Sequence, residues 1–513
     1  MKGNSGKRMA LPIMIQGTHS DAGKSVLVAG LCRVFARRGV RTAPFKSQNM
    51  ALNSYITADG KEIGRAQGVQ AEAAGIEATT DMNPILIKPS GSMQSQIVVH
   101  GRPLANMRAG EYREQFFEEG LRIVTEAYER LASQFERIVI EGAGSPAEIN
   151  LNDRELVNMR IARMARAPVL LVGDIDRGGV FASLVGTLQL LEPEDRERIA
   201  GFIINKFRGD LRLLEPGLEW LEHYTGKPVL GVVPYVEGLH IESEDSMALA
   251  QYSRSPNFDK PIQIAVIRLP SISNFTDLDP LMEEPDCHVR LVETASQLGD
   301  PDAIVLPGSK NTLGDLRFLQ ESGLFAAVER SRAIQEPWIV GICGGFQMMG
   351  RSVQDEERVE SPEGSRIGFG WFPMDTVWRR EKVTVRVEGA AQFAREKYVI
   401  HGYEIHHGWT HYEQGQPFSV LTRMGSSEEV RDGMLDEHRK LMGTYVHGVF
   451  HNDAFRAAWL NGIRARKGLA PLKDRPNSEL LREEAYDRLA DVLEQQLDME
   501  RIERILTDAA SNG

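Results

Sequence analysis

Gln16-Gly17-Thr18-His19-Ser20-Asp21-Ala22-Gly23-Lys24-Ser25 has the parts of a phosphate-binding loop, but five residues rather than the usual four precede Gly23-Lys24-Ser25. The setting decides its meaning. Leu11 to Gln16 is an apolar run with strand character. Val26 to Arg38 places Leu27, Leu31, Val34 and Phe35 on one helical face before Gly39, a residue suited to end a helix. The loop therefore joins a strand to a helix N-terminus, where free N–H groups and the helix dipole attract phosphate. In that frame Gly17, Thr18, Asp21, Ala22 and Gly23 form the cradle, Lys24 neutralises the β- and γ-phosphates, and Ser25 ligates Mg²⁺.

Working outward, short Val- and Ile-rich runs recur at Leu11 to Gln16, Val40 to Lys46, Arg137 to Glu141, Pro168 to Asp174, Gly201 to Lys206 and Pro228 to Pro234. None alternates with polar residues, as expected of strands buried on both faces of a parallel sheet, so residues 9–241 are expected to form a doubly wound α/β domain. The polar, turn-prone stretch 242–260 is expected to be a linker. A second α/β series follows over 261–452, with strands at Ile262 to Arg268, Val289 to Val292, Ala303 to Leu306 and Trp338 to Ile342. Later β-like segments fall at Thr384 to Val387, Tyr398 to His406 and Met442 to Val446. Residues 453–513 read as helical and are expected to pack on the second domain.

Composition narrows the function. A chain of 513 residues with net charge −12 lacks the overall basic character of a general nucleic-acid or membrane-surface binder. No uncharged apolar run of about 18 residues is present, and the basic start Met1 to Arg8 is not followed by the features of a secretion signal. Three cysteines cannot build a disulfide framework, which fits a reducing cytoplasm. Composition sets no oligomeric state.

The loop with its extra residue resembles that of dethiobiotin synthetase and its relatives, ATP enzymes that activate carboxylates. The resemblance implies ATP as nucleotide. It implies a phosphate- and substrate-facing Lys46 and Glu141 as a carboxylate on Mg²⁺. It also implies Asn205 on the adenine edge, with a plain turn residue an equal reading there. All three end parallel strands, where ligands of open α/β sheets collect.

In the second domain, the strand Trp338 to Ile342 runs into Cys343-Gly344-Gly345-Phe346-Gln347. A nucleophile among small residues at a strand-to-helix turn is the elbow arrangement, and the glycines keep the bend accessible. Cys32 and Cys287 read as structural. The string also resembles class I glutamine amidotransferases, which release ammonia from glutamine through a thioester on a flavodoxin-like fold. That resemblance implies His447 of Tyr445-Val446-His447-Gly448 as the base, and Gly344 and Gly308 as oxyanion donors. The family often carries glutamate two residues after the histidine. Here Val449 stands there, which leaves a Cys-His pair unless another acid substitutes. His406 and His407 are rivals for the base, but alternation along a strand would put them on opposite faces.

Over nearly the whole chain, the fusion resembles the cobyric acid synthases. The marks are the loop itself, Pro44-Phe45-Lys46-Ser47-Gln48-Asn49-Met50-Ala51-Leu52-Asn53-Ser54, and Met82-Asn83-Pro84-Ile85-Leu86-Ile87-Lys88-Pro89. The resemblance implies ATP- and glutamine-dependent amidation of the b, d, e and g carboxylates of adenosylcobyrinic acid a,c-diamide. The alternative is cobyrinic acid a,c-diamide synthase or another glutamine-dependent ligase. A corrinoid substrate would make Asn49 to Gln96 a candidate wall, with Gln48, Asn49, Lys88, Gln94 and Gln96 as contacts; a merely solvated polar loop reads equally well.

Overall fold

The computed structural model describes residues 10–89, 94–239, 241, 252–361 and 363–511. Most of the expected linker, 242–251, lies outside them. Six strands form the first parallel sheet: β1 (Leu11–Gly17), β2 (Thr42–Phe45), β3 (Arg137–Glu141), β4 (Val169–Asp174), β5 (Ile199–Phe207) and β6 (Val229–Pro234). Their order is β6-β5-β4-β1-β3-β2. Met14, Ile140, Leu171 and Ile204 feed one core, while Ile13, Ile15, Val139 and Val172 feed another. Burial on both faces explains the unbroken apolar runs. Helix α1 (Lys24–Arg37) leaves the C-terminal end of β1, with Arg38 and Gly39 closing it.

Between β2 and β3 the chain inserts a smaller sheet of Gln48–Met50, Ile85–Pro89, Gln94–Val99 and Arg102–Arg108, together with helix α2 (Arg65–Ala73). The polar segment expected to be a wall is thus largely ordered strand and helix.

The second sheet holds β7 (Ile262–Ile267), β8 (Cys287–Val292), β9 (Ala303–Leu306), β10 (Trp338–Ile342), β11 (Met434–Asp436) and β12 (Leu441–Thr444), in the order β8-β7-β9-β10-β12-β11. Only the edge pair β11 and β12 is antiparallel. A long antiparallel hairpin, Met374–Phe393 with Glu396–Tyr412, leads a third sheet. Of its two strands the sequence marks only Thr384 to Val387 and Tyr398 to His406.

The tail departs from expectation. Helix α3 (Asp453–Arg466) does pack beside the second sheet, with Arg456 paired to buried Glu284 at 2.7 Å. Helices α4 (Ser478–Gln496) and α5 (Met499–Ser511) instead cross back to the first domain. Tyr486, Leu489 and Leu493 share a core with Leu27 and Leu31 of α1, and Arg33 pairs with Asp487 at 2.8 Å and Glu483 at 2.9 Å. An amphipathic pattern identifies an apolar stripe but not the surface that covers it.

Leu493→Ala is expected to cost about 2–5 kcal/mol, because its side chain is fully buried against α1. Chemical denaturation followed through a probe in the first domain checks this, and an unchanged midpoint would remove the contact.

Candidate active sites

The first site forms where β1, β2 and β3 end together. Gly23 has φ +96°, and a Cβ there would meet the Asn205 side chain at 2.1 Å, so only glycine closes the loop. Asn205 donates its amide to Ala22 O at 2.9 Å and braces the loop from beneath. One donor of the Asn205 amide is thus engaged with loop backbone. Lys24 Nζ donates to His19 O at 2.9 Å and Gly144 O at 3.2 Å, across the mouth of the loop. The Thr18 hydroxyl is buried and has no hydrogen-bond partner among the described residues.

Glu141 is 1% exposed and gathers side chains from three segments. Ser25 Oγ donates to it at 2.8 Å, Lys46 Nζ at 2.7 Å, and Gln70 Nε2 at 2.6 Å. Burial alone would raise the pKa of this carboxyl. The Lys46 ammonium and the bonds from Lys46, Gln70 and Ser25 outweigh it and hold the group below the usual carboxylate range. Gln70 was not legible in the sequence: it lies on α2, remote from Glu141 and between Val69 and Ala71, with no motif to mark it.

The second site forms where β7, β9, β10 and β12 end. Cys343 has φ 50° and ψ −109°, the strained turn of an elbow, and a helix of only five residues, Gly344–Met348, follows. A Cβ on Gly345 would lie 1.9 Å from Leu306 O, so this glycine lets the elbow seat against β9 as well as keeping it open. The loop after β9 also approaches Gly344, though less closely, with Ser309 N 3.0 Å from the position a Cβ would take. Gly308 itself faces the His447 ring, with Cε1 3.1 Å from the position its Cβ would take.

His447 is fully buried beside Cys343, whose Sγ donates to Ile405 O at 3.5 Å. Its Nδ1 lies 2.7 Å from Asp277 Oδ2. Asp277 sits on the short turn Phe275–Leu278 after β7, and its other oxygen accepts the Gly448 N–H at 2.7 Å. The acid missing at Val449 is therefore supplied from 170 residues earlier in the chain. Sequence spacing carries no signal for such a pairing. Burial would depress the His447 pKa, but Asp277 and Cys343 raise it from 6.5 to about 10.

Neither rival histidine takes this position. His406 stacks on Tyr445 at 3.9 Å, and His407 stacks on Trp378 at 5.7 Å. Burial, with Lys310 and Lys382 nearby, lowers the pKa of His407 to about 3 and keeps it neutral. Both rings border the Cys343 cavity, contrary to strict alternation, because the hairpin register breaks between Trp378 and Val383.

Two family matches accompany this geometry. Residues 13–249 match the CobQ/CobB/MinD/ParA nucleotide binding domain, and residues 263–455 match the CobB/CobQ-like glutamine amidotransferase domain. The chain is 58% identical to the cobyric acid synthase of Geobacillus sp. (strain WCH70), covering 96% of this chain and 97% of that one. It is 57% identical to that of Anoxybacillus flavithermus (strain DSM 21510 / WK1), covering 97% of each. It is 54% identical to that of Geobacillus kaustophilus (strain HTA426), covering 97% and 98%. The chain belongs to the cobyric acid synthase family.

The expected corrinoid contacts are placed unevenly. Lys88 is 3% exposed, pairs with Glu62 and donates to Ser54 Oγ at 2.7 Å. Burial lowers its pKa to about 8 despite Glu62. Lys88 therefore lines the Cys343 cavity from the first domain rather than an open wall. Asn49 is buried and donates to Gln67 Oε1 at 2.9 Å, and Gln48 accepts from Tyr112. Gln94 is exposed, and Gln48 and Gln96 are half-buried, so these three reach the surface.

The raised His447 pKa has a sign that can be checked. Imidazolium stabilisation is fully present below pH 6.5 and is lost as pH rises through about 10. The denaturation midpoint should therefore fall across that window in the parent protein, and Asp277→Asn should flatten the fall. An identical slope in both proteins would reject the ion pair.

Proposed function

We propose that this chain makes amides from corrinoid carboxylates: it amidates the b, d, e and g carboxylates of adenosylcobyrinic acid a,c-diamide, using ATP and glutamine. Family membership over nearly the full chain supports this reading over the a,c-diamide synthase alternative. The observation that carries the chemistry is the cavity shared by Cys343 of the second domain and Lys88 of the first.

In the second domain, Cys343 Sγ attacks the side-chain carbonyl carbon of glutamine while His447 takes up and then delivers a proton to the departing nitrogen. The C–N bond breaks, ammonia leaves, and water hydrolyses the thioester to glutamate. Amide N–H groups of Gly344 and of the Gly308-Ser309 loop face the developing oxyanion. Asp277 holds the imidazole by Nδ1, so that Nε2 serves the sulfur.

In the first domain, a corrinoid carboxylate oxygen takes the γ-phosphoryl group of ATP, ADP departs, and ammonia displaces phosphate from the acyl phosphate. Lys24 and Lys46 offset the phosphate charge. The unpartnered Thr18 hydroxyl and the loop amides suit a phosphate oxygen. Mg²⁺ fits the donor set: Ser25 Oγ and Glu141 Oε1 are already 2.8 Å apart, and magnesium commonly uses few protein oxygens besides water and phosphate. Among the described residues, no cluster of three His, Cys, Asp or Glu side chains offers a cage for a more demanding ion. Also among them, no helix is long and apolar enough to cross a membrane.

Cys343→Ala should abolish glutamine-driven amidation and leave ammonia-driven amidation intact, whereas Lys24→Ala should lower both by about 100-fold or more. Product analysis with amide-labelled glutamine reads out which carboxylates gain nitrogen. Equal glutamine-driven activity in Cys343→Ala would remove the thioester route, and label in the a or c positions would reassign the substrate. Chelation of divalent cations should stop both nitrogen routes together.

A further inference from the structure

Pro44 to Ser54 begins at the nucleotide site with Lys46 on Glu141 and ends inside the other domain's site. Asn53 and Ser54 are fully buried, so they cannot belong to a solvent-facing wall. Asn53 Oδ1 accepts the Phe275 N–H at 3.3 Å, and Ser54 N–H donates to Asn274 Oδ1 at 3.0 Å. Ser54 O lies 3.5 Å from the Tyr403 hydroxyl.

Each of these recipients bears on His447. Asn274 Nδ2 lies 3.4 Å from His447 Nε2. Tyr403 stacks on the His447 ring at 5.1 Å and exchanges backbone hydrogen bonds with it, His447 N–H to Tyr403 O at 2.9 Å and Tyr403 N–H to His447 O at 3.2 Å. Phe275 opens the same short turn that carries Asp277. Asn274 enters that turn at φ 52°, a left-handed conformation that needs outside support to persist. The first domain provides this support through two hydrogen bonds, one from the Phe275 backbone N–H to Asn53 and one from Ser54 to the Asn274 side chain.

We propose that Asn53 is a positioning residue for the glutamine-hydrolysing site: together with Ser54 it clamps the Asn274–Leu278 turn, so that the synthetase domain sets the alignment of Asp277, His447 and Cys343. The inference rests on the thioester reading of Cys343 and adds to it a dependence on the first domain. The clamp is eight residues from Lys46 along the chain, with Asn49 held to Gln67 of α2 on the way. That stretch of main chain joins Lys46, hydrogen-bonded to Glu141, to the clamp on the turn that carries Asp277.

Asn53→Ala in the full chain should lower kcat with glutamine by roughly tenfold and leave KM for glutamine unchanged, since the clamp touches the orientation of the base and not the bound amino acid. Turnover with ammonia should be unaffected, which also reports that the variant is folded. Tyr403→Phe keeps the ring stacked on His447 and removes only the hydroxyl near Ser54, and a smaller drop in the same kcat is expected from it. Equal loss of glutamine- and ammonia-driven turnover in Asn53→Ala, or unchanged kcat with glutamine in both variants, would overturn the clamp. Undiminished glutamine-driven turnover in Cys343→Ala would overturn the thioester reading, and the clamp with it.

Discussion

A charged carboxylate at Glu141, almost wholly withdrawn from water, is the constraint around which the first domain is built. Removing such a charge from solvent costs several kcal/mol unless partners compensate it, and breaking one partner leaves the rest destabilised. Its partners come from α1, the end of β2 and α2, which are separate in sequence and meet only when β1, β2 and β3 lie side by side. The order of the sheet therefore has an electrostatic consequence. It also explains the insertion between β2 and β3: α2 is the part of it that reaches the carboxylate.

The second domain repeats the logic with a histidine. His447 is fully buried, so its charged form depends on Asp277 and on the Cys343 sulfur. Cys343 is set by β10, His447 by β12 and Asp277 by the turn after β7. Two of these are strand ends fixed by a ladder of backbone bonds, while the third is a short turn with a left-handed entry. The least supported member is the one that the first domain grips, and coupling between the halves enters at the weakest point of the alignment.

Both sheets were legible because parallel strands buried on both faces leave long apolar runs, and because Gly23-Lys24-Ser25 and Cys343-Gly344-Gly345 mark strand-to-helix turns. Glu141, Lys46, Cys343 and His447 lie at strand ends, where resemblance to known families could point to them. Asp277 was not legible, since no periodicity or spacing links a turn after β7 with a histidine after β12. The docking of α4 and α5 on α1 was misread for a related reason: amphipathicity specifies that a face is covered, and its partner is decided by the tertiary arrangement. Lys88 was read as a polar wall residue because a lysine in a polar segment is usually solvated. Only its pairing with Glu62, itself held by Lys382 from the second domain, makes burial tolerable.

That last cluster bears on how far the halves can move. Glu62 is 1% exposed and holds lysines from both domains, Lys88 and Lys382. Separating the domains would leave the carboxylate with Lys88 and Ser54 only and deprive Lys382 of its counter-charge beside Lys310, whose pKa is lowered by burial and by Lys382. A buried pair is costly to break even where forming it gains little. Wide opening between the halves is therefore disfavoured relative to small rotations about a fixed contact. Small rotations suffice for control of the cysteine site, because the clamp at Asn53 acts on hydrogen bonds of 3.0–3.3 Å, whose strength falls steeply with distance and angle.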